Sequence, residues 1–99
     1  DSRRTLKNNK MKTFKDLEFE IMSDEYMSGK KSRIYFDNGY GASVVSHTFS
    51  YGGKSGLYEL AVLDKDGEIH YDNPVAGGDV KGYLTEEEVT ELLIQIQKL

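Results

Sequence analysis

The chain has no cysteine and no tryptophan, and only one proline and two histidines among 99 residues. Without cysteine there can be no disulfide, no thiolate metal site and no cysteine nucleophile, a usage that fits a reducing cytoplasm. No apolar run approaches the roughly 18 residues that span a bilayer, and the opening segment "DSRRTLKNNK" lacks the apolar stretch of a secretory signal. A soluble, cytoplasmic protein with no membrane partner is expected. No serine lies in a nucleophile elbow or beside a patterned base, and the histidines have no patterned carboxylate near them. Neither a catalytic constellation nor a metal or cofactor site is expected.

What is present is acidic. Asp1 against Arg3, Arg4, Lys7 and Lys10 gives the first ten residues a net +3, which leaves −7 on the rest of a chain whose formal charge is −4. A body of that sign repels phosphate at long range, so direct nucleic-acid binding is not expected. Residues 1–10 have no apolar periodicity and read as a disordered basic tail or an upstream extension. Residues 11–99 read as one domain.

In "DLEFEIM" Leu17, Phe19 and Ile21 alternate with carboxylates and predict a half-buried strand. "RIYFDNGYGASVV" predicts a hairpin turning at Asn38-Gly39 in a type I′ turn, with Ile34 and Phe36 on one face before it and Tyr40, Ala42 and Val44 after it. "LYELAVLDKDGEIHYD" predicts a second hairpin turning at Asp66-Gly67. Its partner strand carries Ile69 and Tyr71 and stops at Asn73-Pro74. "VAGGD" then reads as a flexible connection. The C-terminus predicts a helix whose N-cap Thr85 pairs with Glu88 in a capping box, with Leu84 and Val89 as a hydrophobic staple. Val89, Leu92, Leu93 and Ile96 form its apolar stripe. The expected fold is α+β: an antiparallel meander of four to five strands with one C-terminal helix packed on one face, or alternatively a small half-open barrel.

"SYGGKSG" holds a Gly-Lys-Ser triplet, but a P-loop wants glycine five residues earlier, where Thr48 stands, and a helix afterwards, where a strand-like run follows. Asp64, Asp66 and Glu68 alternate like calcium ligands, yet glycine comes fourth and Val75 stands twelfth, so a solvated turn is favoured. The acidic cluster Glu86, Glu87, Glu88 and Glu91 serves helix capping and offers a second surface. Seven tyrosines and four phenylalanines exceed what a small core needs, and tyrosine collects at interfaces. Phe49, Tyr51 and Tyr58 are the expected anchors of a contact surface, with Lys54 as a rim charge.

The blocks "FDNGYGASVV", "GLYELAVL" and "GYLTEEEV" together resemble a family of small proteins encoded by bacteriophages and prophages. The resemblance runs from about Met11 to Leu99 and brings no catalytic residues with it. It implies a setting, the host cytoplasm, and a non-enzymatic protein that binds a host protein to inhibit or redirect it. Two alternatives stand beside this: a small-ligand binder or enzyme using a His47/His70 cleft, and a virion or assembly component.

Overall fold

The computed structural model describes residues 11–70, 73–76 and 80–99. Residues 1–10, and with them the expected tail, lie outside that range. Strands β1 (Glu20–Ser23), β2 (Ser28–Tyr35), β3 (Gly41–His47), β4 (Tyr58–Leu63) and β5 (Lys81–Leu84) pair antiparallel in the order of the chain. Helix α1 (Glu86–Gln97) packs over β3, β4 and β5. The fold is thus the expected α+β meander with a C-terminal helix on one face.

Alternation decides which residues meet the helix. Ala42 and Val44 of β3, and Leu60 and Val62 of β4, are buried with Val89, Leu92, Leu93 and Ile96 of α1. Full burial of an aliphatic side chain of this size contributes roughly 1.5–3 kcal/mol, so this stripe on a sheet accounts for much of the fold's stability. The start of α1 is closed as expected: Glu88 N–H donates to Thr85 Oγ1 at 3.2 Å and Thr85 N–H to Glu88 Oε1 at 3.0 Å.

Both expected turns are present, each one residue longer than a type I′ turn. Phe36 N–H donates to Tyr40 O and Gly39 N–H to Phe36 O, with Gly39 at φ 91° and no positive φ at Asn38. Asp64, Gly67 and Glu68 repeat the arrangement, with Gly67 at φ 82°. These are three-residue hairpin loops, a type I turn followed by a left-handed glycine. Asn38 also reaches across the molecule: its Oδ1 accepts from Tyr40 N–H at 3.0 Å, and its Nδ2 donates to Ile96 O at 2.9 Å near the end of α1.

The second expected hairpin is cut short. Its return arm is reduced to a bridge between Leu63 and Ile69 and a bond from His70 N–H to Val62 O, while β5 takes the Tyr58–Leu60 part of the same edge. Asn73 explains the break, because its side chain accepts from Val75 N–H and Ala76 N–H and donates to His70 O, winding the chain into a turn. Val75 and Ala76, expected in a flexible connection, are buried in the core. Tyr71 and residues 77–79 lie outside the described residues.

Ile21 corrects the reading of the first strand. Leu17 is buried and Phe19 packs against the core, but Ile21 is 77% exposed because α1 covers the other end of the sheet. Ahead of β1, residues 12–14 are stitched to α1: Lys12 N–H donates to Gln97 Oε1, Gln97 Nε2 to Lys12 O, and Phe14 N–H to Thr90 Oγ1.

Candidate functional site

The segment between β3 and β4 carries the expected contact residues, and it is folded on itself. Ser50 N–H donates to His47 O, Gly53 N–H to Ser50 O, Ser55 N–H and Leu57 N–H to Gly52 O, and Gly56 N–H to Gly53 O. Ser50 Oγ both accepts from His47 N–H and donates to His47 O. A one-turn 3-10 helix, Gly53–Ser55, forms within it, flanked by left-handed Gly52 and Gly56. Gly53 has no room for a side chain, since a Cβ there would fall on His47 O. The Gly53 and Ser55 amides of the Gly-Lys-Ser triplet are turned onto carbonyls of the loop and strand β4 follows, an arrangement that does not cup a phosphate.

Phe49 is 70% exposed, Tyr51 is 60% exposed and Lys54 is exposed on the 3-10 turn. Tyr58 is the exception, at 5%. Its ring meets Phe14 edge-on at 5.1 Å and lies 5.9 Å from Phe19, and the Lys30 ammonium sits 5.3 Å from its centroid. That position is on the helix-side face of β4, where Leu60 and Val62 also point, so Tyr58 is core and not an anchor.

A residue outside the sequence-based set takes its place. Tyr58 pairs with Leu84 and Leu60 with Lys81, so β5 takes three steps to two on β4, and Gly82 and Tyr83 together oppose Glu59. Such a bulge re-aims a side chain. Tyr83 lies at φ 57°, alone among the described non-glycine residues in a positive φ, and it is 64% exposed. The loop docks on this bulge. Tyr83 N–H donates to Tyr51 O at 3.1 Å and Tyr51 N–H to Glu59 Oε1 at 3.1 Å. A Cβ on Gly82 would strike the Tyr51 side chain, and a Cβ on Gly52 would press on Tyr83. Each glycine therefore admits the other segment's tyrosine, and two exposed tyrosines are held on a bonded backbone. The readable signal was Gly82 in a short strand, which marks a bulge.

The histidines do not converge. His70 is bonded to Val62, whose partner across the sheet is Ala42, whereas His47 lies five residues further along β3. At about 3.3 Å per residue the two are separated by roughly 16 Å. His70 instead packs against Tyr40, with centroids 5.6 Å apart and the rings tilted by 54°, and His47 Nδ1 accepts from Phe49 N–H at 3.1 Å. A shared His47/His70 cleft is therefore absent. Asp64 Oδ1 accepts from Asp66 N–H and Glu68 N–H, which makes it the organiser of its turn. Among the described residues no group of three or more His, Asp or Glu side chains is arranged to hold a metal ion, and no helix is long and apolar enough to cross a membrane.

No family model matches the chain, and no curated protein or solved structure matches it significantly.

Proposed function

We propose that the chain is a non-enzymatic binding protein that occupies a surface of another protein with the rings of Tyr51 and Tyr83. Phe49 extends that surface within the same loop, and Lys54 supplies a charge at its rim. The observation that carries this reading is Tyr83. A left-handed backbone costs an L-residue about 1–2 kcal/mol, and a largely exposed side chain returns little burial energy to offset it. Strain of this kind collects at functional positions. Exposed tyrosines on a pre-ordered backbone lose little entropy on binding, which is why they anchor interfaces. The phage-encoded setting implied by the three sequence blocks makes the partner a host protein, inhibited or redirected by being covered.

Affinity purification from infected cells tests this, with the intact chain compared with Tyr51→Ala, Tyr83→Gly and Lys54→Glu. The tyrosine variants are expected to lose the captured partner and Lys54→Glu to weaken it, while Glu91→Gln on the far helix face retains it. Retention of every captured protein by both tyrosine variants refutes the choice of surface.

A further inference from the structure

The two edges of the sheet are treated differently. On the β5 side the bulge and the bond between Tyr83 and Tyr51 break the ladder's regularity, a usual way of blunting an edge. The β1 side is regular, with four successive pairs from Glu20↔Lys31 to Ser23↔Ser28 and no shift. Asp24 N–H donates to Met27 O, which places Asp24 in the set bonded toward β2. Alternation then turns Glu20 and Met22 toward β2 and leaves the N–H and C=O of Ile21 and Ser23 facing outward. Among the described residues no other strand pairs with them.

Charge decides what such an edge accepts. Glu18, Glu20, Asp24 and Glu25 are all exposed on it or beside it. Of the nearby cations, Lys31 is the cross-strand partner of Glu20, Arg33 lies beside Glu18 and Glu20 with its Nη1 donating to Gly67 O, and the Lys30 ammonium is turned over the rings of Phe19 and Tyr58. A second copy pairing antiparallel through Ile21 would set Glu18 near Asp24 of its mate, and like charges there oppose self-association. A cationic strand meets the opposite condition. The residue facing Ile21 shares its uncovered face and is best apolar, and the residue facing Glu20 lies on the other face and is best basic.

We propose that β1 is a docking edge for an extended segment of a protein partner in which basic and apolar residues alternate, added as a sixth strand. This surface is separate from Tyr51 and Tyr83.

The probe is a short synthetic peptide of alternating lysine and valine, set against its glutamate and valine counterpart. With the lysine peptide at about ten times its Kd, exchange of the Ile21 and Ser23 amides is expected to slow about tenfold, and the glutamate peptide is expected to have no effect. Ile21→Pro and Ser23→Pro each remove an outward N–H that the sheet does not use, so the fold tolerates them while strand addition is blocked. Neither changes charge. Loss of binding in both, with Tyr51→Ala binding as the intact chain does, supports the proposal. It is overturned by equal binding of the glutamate peptide, by binding that survives both prolines, or by a dimer of the chain alone that Ile21→Pro dissolves.

Discussion

Tyr83 separates stability from binding at a single position. Glycine adopts a φ of 57° without the steric cost that tyrosine bears, although it loses more backbone entropy on folding. The two effects nearly cancel, so Tyr83→Gly is expected to change the unfolding free energy by no more than about 1 kcal/mol, and in the stabilising direction if either, measured by denaturant titration. Partner capture by the same variant is expected to vanish. A variant that both unfolds readily and loses its partner would mean that the ring supports the fold and not an interface. Tyr58 presents the converse case. Both tyrosines sit in short strands with glycine nearby, and only the packing of Phe14 and Phe19, about 40 residues upstream, makes one of them core.

Local elements were legible where their signals are local. The capping box at Thr85 and Glu88 needs only four consecutive residues, and it formed as read. The Asn38-Gly39 and Asp66-Gly67 turns were legible as turns but not in length, since a left-handed glycine closes both the two-residue and the three-residue loop. The return arm after Gly67 was not legible, because β5 competes for the same edge of β4 from farther along the chain and Asn73 ends the arm early. For the candidate site, Phe49, Tyr51 and Lys54 were readable from composition, whereas the bulge that presents Tyr83 exists only once β4 and β5 have paired. Asn38 gives a test at this scale. Asn38→Ala removes the acceptor for Tyr40 N–H and the donor to Ile96 O, so it is expected to cost about 1–2 kcal/mol. Thermal unfolding should register this as a drop of roughly 4–8 °C per kcal/mol, with the hairpin and the last turn of α1 loosening together.

At the scale of the whole molecule, the meander pairs each strand with its neighbour along the chain, and the helix that follows β5 closes the core over β3, β4 and β5. The charges divide accordingly. Carboxylates gather on the outer side of α1 and along β1, and the paired tyrosines sit with Lys54 and Lys81 near the opposite edge. One consequence follows from the stitch between Lys12 and Gln97, which lie 85 residues apart in sequence and share two side-chain bonds. The stretch from Lys12 to Gln97 is thus a near-closed ring, so its connectivity is interchangeable in a way its contacts are not. A circular permutant with Met11 and Leu99 joined by a short flexible linker, and new ends opened between Lys65 and Asp66, is expected to fold to the same amide spectrum outside the two junctions.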